Sequence, residues 1–200
     1  MRYLLINILL ICNITSFAQS KGDSIYVVKN VGDIRISNKM ELQSSSYKPQ
    51  EPNKVVFQQK GLNNGSISAE ETYVRLIIET SIGTRGDYEK LGSTTPISES
   101  EMKELNEMLR QSLISQFKGS GMKLITWHGT SFKKINGQNC LIYSYLRQLR
   151  DNPPVEVSIY SFHNNDRVHT ITISCRKDEK KDWWTILTNS IKSFKITNVR

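Results

Sequence analysis

The sequence is poor in the side chains that carry most catalytic and metal chemistry. Its 200 residues include three cysteines and three histidines, too few for a disulfide framework or a multi-metal site. Five prolines and eleven glycines exclude a collagen-like or structureless chain. No apolar run approaches the roughly 20 residues that a membrane-crossing helix needs, so no membrane span is expected. A nucleophile elbow, a Walker loop, a dinucleotide fingerprint and a His-Glu-x-x-His segment are all missing. Gly119-Ser120-Gly121 follows a helical pattern, whereas an elbow requires a strand. An apolar share of 38% still suffices to fill a core, so the chain is expected to fold.

What is present begins with an address. Arg2, then Leu4 to Ile11 broken only by Asn7, then the small-x-small triplet Ser16-Phe17-Ala18 read as a signal peptide over residues 1–18 cleaved after Ala18. Residues 19–200 are then expected as a single secreted or periplasmic domain. Cys12 follows Ile11 where a lipid-attachment site wants a small residue, which argues against lipidation. Without residues 1–18 the net charge is +7. Residues 19–118 hold 13 basic and 13 acidic side chains, and residues 119–200 hold 13 basic and 6 acidic. The excess in the second part favours anionic partners. Nucleic acid is not expected among them, since no helix-turn-helix, zinc-finger or aromatic RNA-binding signature is present.

Hydrophobic periodicity places the elements. Short strands are expected at 25–29 and 33–37, a loop at 43–54, strands at 54–60 and 71–80, and a Gly-rich loop at 81–96. Ser98 and Glu101 have the spacing of a capping box. Met102, Leu105, Leu109, Leu113 and Phe117 then recur at three and four, which predicts a helix over 99–118 closed by Gly119. Strands follow at 123–135 and 138–149 around an Asn136-Gly137 turn, then at 155–163 and 167–175. A last helix is expected over 179–194, with Asp178 as its cap and Trp183, Leu187, Ser190, Ile191 and Phe194 as its apolar stripe.

A one-residue slip moves every side chain of a strand to the opposite face, so register decides what meets what. Opposing Leu149 to Val155 and His163 to Arg167 puts Leu141, Tyr143, Tyr145, Val155, Val157, Ile159, Ile171, Ile173 and Cys175 on one apolar face. The other face, running from Ile142 and Glu156 to Thr172, is mixed and is the better place for a ligand. Cys140 and Cys175 then lie over 20 Å apart along the strands, too far for a disulfide. His163 and His169 become diagonal neighbours on one face, yet two ligands do not make a metal site, and neither metal nor cofactor is expected. Glu99, Glu101, Glu104 and Glu107 crowd one helix and suit its negative start better than acid/base catalysis. The same register gathers Arg147, Arg150, Arg176, Lys177, Lys180 and Lys181 at one sheet edge. Arginines there are fitted to grip carboxylate or phosphate. Asp151, Asp178, Glu179 and Asp182 lie among them, so mutual ion pairing is also expected.

The order of elements, with the run Ile135-Asn136-Gly137 into Tyr143 and the ending Ile191-Lys192-Ser193-Phe194, resembles the PsbP-like family over residues 25–197. The resemblance implies an α/β/α sandwich and non-catalytic binding work. Members include photosystem extrinsic subunits, a Ran-binding import factor, periplasmic lipoproteins and secretion-system chaperones. It transfers no site residue. The expected fold is α+β, a largely antiparallel sheet with helices packed on it. The expected function is that of an exported, non-enzymatic binding or accessory protein engaging a protein or an anionic ligand. The alternatives are a periplasmic inhibitor or immunity-type protein, or a hydrolase assembled around His128, His163 or His169.

Overall fold

The computed structural model describes residues 22–44, 51–93 and 97–200. The signal peptide expected over 1–18, its expected cleavage site and Cys12 lie outside these residues, as do parts of the loops expected at 43–54 and 81–96.

Among the described residues ten strands form two antiparallel sheets. The smaller sheet holds β1 (Ser24–Val28), β2 (Gly32–Ile36) and β10 (Lys195–Ile196), with β2 in the middle. The larger contains β3 (Met40–Leu42), β4 (Lys54–Gln59), β5 (Val74–Ile82), β6 (Met122–Ile135), β7 (Gln138–Leu149), β8 (Val155–His163) and β9 (Arg167–Arg176). Its order is β3-β4-β5-β9-β8-β7-β6. Helices α1 (Ile67–Glu70), α2 (Glu99–Phe117) and α3 (Lys180–Ser193) complete the fold. The architecture is α+β, as the periodicity implies. Among the described residues no helix is long and apolar enough to cross a membrane.

The two long helices begin and end for local reasons. Ser98 Oγ accepts from the Glu101 amide while Glu101 Oε2 accepts from the Ser98 amide, so the capping box is complete. Gly119 exits α2 at φ +78°, a conformation that costs a glycine little. The row Met102, Leu105, Leu109, Leu113 and Phe117 faces inward, and Leu113 is buried. At α3 the expected cap differs: Glu179 holds the N-cap position, and Asp178 Oδ1 instead accepts from the Glu179 amide.

Both hairpin registers differ from expectation. Arg147, not Leu149, opposes Val155. That shift of two residues keeps every side chain on its face, and it arises because Pro153 and Pro154 make a longer connection and lack ladder donors. His163 opposes Val168 rather than Arg167. Here the Asn164 amide donates to the Arg167 carbonyl and Asn165 takes φ +63°, closing a two-residue turn in place of a three-residue one. This single-residue shift turns β9 over. Ile171, Ile173 and Cys175 therefore share a face with Ile142, Leu146, Tyr160 and Phe162, and stand beside Leu76 and Ile78 of β5.

That face is the main core. It is covered by α3 and the small sheet, with Ile34, Leu76, Ile171, Ile173, Leu187 and Phe194 fully buried. The opposite face carries α2 along β6, where Leu113 packs with Tyr145 and Val157. The face expected to be mixed is thus the drier one. The face expected to be wholly apolar is apolar on β7 and β8, and carries Val168, Thr170, Thr172 and Ser174 on β9.

Candidate anion site beside Val155

The corrected register still gathers part of the basic cluster. Arg147 and Arg176 both oppose Val155, one from each side, so three neighbouring strands place two guanidinium stems on one face in a single row about 10 Å wide. They line a cavity of about 250 Å³ with Tyr73, Met122, Leu149, Asn152, Pro153 and Val155. Arg147 Nη2 donates to the Tyr73 hydroxyl (3.4 Å) and its Nη1 approaches Met122 Sδ (3.9 Å). Arg176 Nη1 donates to the Glu71 carbonyl. Both side chains are half-buried.

Among the described residues neither guanidinium meets a carboxylate. The expected pairing with Asp151, Asp178, Glu179 and Asp182 is absent there, and two of these acids are turned elsewhere. Asp178 receives the Glu179 amide, and Glu179 Oε2 receives the Tyr73 amide at 3.3 Å. Two cations over apolar walls, with no carboxylate paired to them among the described residues, have the chemistry that suits a carboxylate or phosphate group.

The other four basic residues separate. Arg150 sits at φ +49° in the β7–β8 connection, exposed, with its amide donating to the Gly121 carbonyl. Lys177 and Lys181 are exposed. Lys180 belongs to the opposite face. Its Nζ lies 3.1 Å from Glu156 Oε1 and 4.9 Å from the centre of the Trp184 ring. Lys180 therefore drops out of the edge cluster because β9 is turned over and α3 packs on the core side.

The histidines also part company. His163 and His169 stand on opposite faces of β8 and β9, since Phe162 opposes His169. His169 is fully buried. Asn164 Nδ2 donates to its Nε2 (3.3 Å), which leaves the Nδ1 proton to Thr80 Oγ1 (2.9 Å). Burial, helped by the charge of Arg167, pushes its pKa down to about 4. His163 packs against Tyr88, with ring centres 5.6 Å apart. His128 has an acid within contact distance: its Nε2 lies 3.0 Å from Glu156 Oε1. That oxygen also lies 3.1 Å from Lys180 Nζ, so lysine and imidazole share one carboxylate.

Cys140 and Cys175 are free and buried, and burial pushes both thiols up to about 12. A thiol in that state is a packing group, not a nucleophile. Periodicity gives no signal for Tyr73 or Met122, because Tyr73 stands just ahead of β5 and Met122 opens β6, each distant in sequence from the arginines. The clue in the chain is the gathering of basic residues at one sheet edge.

No family model matches the chain, and no curated protein matches it in sequence. The fold does match solved structures. The solution structure of cyanobacterial PsbP (CyanoP) from Synechocystis sp. PCC 6803 superposes with a TM-score of 0.52 at 13% identity, covering 88% of this chain and 92% of that one. A crystal structure from Bacteroides thetaiotaomicron VPI-5482 gives 0.46 at 8% identity, covering 84% of this chain and 47% of that one. A sheet with α2 on one face, α3 and a small sheet on the other, and the match to cyanobacterial PsbP over most of both chains together give this chain a PsbP-like fold.

Proposed function

We propose that this is an exported, non-enzymatic binding or accessory protein that holds an anionic group, on a small ligand or on a partner protein, between Arg147 and Arg176. One observation carries the reading: two guanidiniums flank Val155 in a cross-strand row, on a concave surface, and no carboxylate neutralises them among the described residues. A hydrogen bond to a charged group contributes about 1.5–3 kcal/mol, which corresponds to roughly ten- to hundredfold in affinity. Titrating the full chain with butyrate and with inorganic phosphate, followed by amide NMR shifts, tests this. Arg147→Met and Arg176→Met should each weaken binding by about tenfold or more, and the double substitution should abolish it while far-UV circular dichroism stays native. Equal binding by all four proteins would contradict the proposal.

An inhibitor or immunity-type role uses the same contact, made to the carboxylate of a partner protein. A hydrolase reading has the His128–Glu156 pair in its favour. It becomes the better account if ester or amide turnover is found and His128→Asn removes it.

A further inference from the structure

The cavity at Arg147 and Arg176 has a neighbour. Met122 lines it and also lines a second cavity of about 680 Å³, formed where the last turns of α2 stand over the start of β6. The walls of the second cavity are apolar, with Ile114, Phe117 and Leu124 prominent. Its rim is cationic, with Arg110, Lys118 and Lys123. Among the described residues no aspartate or glutamate lines either cavity. Met122, which opposes Leu149, is shared by the two cavities and forms the low divide between them. Ile114 is 39% exposed and Leu149 is 40% exposed, an apolar path open to a ligand. A methionine divide is unbranched and can shift to let a chain pass.

Building on the proposed anion site, we infer that its ligand is a single free amphiphilic anion. The carboxylate of a medium-chain fatty acid sits at Arg147 and Arg176, and its alkyl chain crosses Met122 into the cavity under Ile114 and Phe117. The two guanidiniums set the end that takes the charge, and the apolar walls beyond Met122 set the end that takes the chain. The concave shape and finite volume suit one chain rather than a bilayer surface. Both features come from one juxtaposition: β6 carries Met122 past the exit of β7, where Arg147 stands, and α2 ends directly above.

Calorimetric titration of the full chain with dodecanoate below its micellar concentration tests this against butyrate, dodecyl maltoside and phosphatidylglycerol vesicles. Each buried methylene strengthens binding about fourfold, so partial burial of the longer chain should make dodecanoate at least about 100-fold tighter than butyrate. Dodecyl maltoside, which has the chain without the charge, should compete poorly. Ile114→Asp, at an exposed position, should weaken dodecanoate at least tenfold. If butyrate binds through the arginines but dodecanoate gains nothing over it, the amphiphile inference falls and the anion site stands. If neither carboxylate responds to substitution of Arg147 and Arg176, both fall. Binding to vesicles without binding to free dodecanoate also overturns the inference.

Discussion

His169 shows how a single buried residue ties stability to pH. Folded, it is neutral, clasped by Thr80 and Asn164, with its pKa pushed down to about 4. Unfolded, an imidazole titrates near 6.5. The unfolded chain therefore takes up the proton first, and stability contributed by the neutral ring is complete above about pH 6.5 and lost as pH falls toward 4. Urea unfolding should show a loss of about 2 kcal/mol between pH 7 and pH 5. In His169→Gln most of that slope should disappear, with a smaller remainder from His163, whose pKa burial also lowers. An equal slope in the two proteins would mean that the ring is protonated in the fold. The same clasp reaches the C-terminus, since Asn164 also donates to the Asn198 carbonyl and accepts from the Arg200 amide.

Elements differ in how openly the chain declares them. The helix at α2 is written in the spacing of Ser98, Glu101 and five apolar residues, and its bounds, Glu99–Phe117, follow from local chemistry alone. Ser98→Ala should cost about 1 kcal/mol in chemical denaturation, whereas no loss would show that the cap is not formed in solution. The Asn136-Gly137 turn is equally legible: both residues take positive φ, 49° and 75°. Register is not legible in this way. Apolar residues on β9 alternate identically whichever face they take, and the choice is made by Leu76 and Ile78, about 90 residues earlier, and by a turn one residue shorter than Asn164-Asn165-Asp166 suggests. The site inherits this division. Arg147 and Arg176 are visible as charges near a strand end, Lys180 is expected at the same edge but packs on the core side, and Tyr73 and Met122 appear only once the sheet closes. Because Asn165 holds the turn at φ +63°, Asn165→Val should destabilise by about 1–2 kcal/mol, with Asn165→Gly nearly neutral. Equal stability of the two variants would contradict this account of the turn.

At the scale of the whole molecule the small sheet locks the core side. β10 pairs with Gly32, and a Cβ there would stand 2.0 Å from the Lys195 carbonyl oxygen. Gly32→Ala must therefore push β10 away, exposing Ile196 and loosening the strand that follows Phe194. It should cost about 2–3 kcal/mol and remove hydrogen-exchange protection at the Ile196 amide, which donates to Gln138 Oε1. Unchanged protection would show that the small sheet is not anchored there. On the opposite face α2 covers β6 and β7 but stops short of the Arg147–Val155–Arg176 row, so the layer that completes the sandwich also leaves the site open. Register brings two of the second half's basic residues, Arg147 and Arg176, to that open end.

The most direct test of the central claim watches the guanidiniums themselves. Side-chain ¹⁵Nε resonances of Arg147 and Arg176, assigned from the single substitutions, should move together and saturate with one midpoint as inorganic phosphate is added to the full chain, with Arg150 unmoved. Shifts that fail to saturate, or that are shared equally by Arg150 and the other surface arginines, would mean that the phosphate meets only diffuse surface charge and that no anion site exists beside Val155.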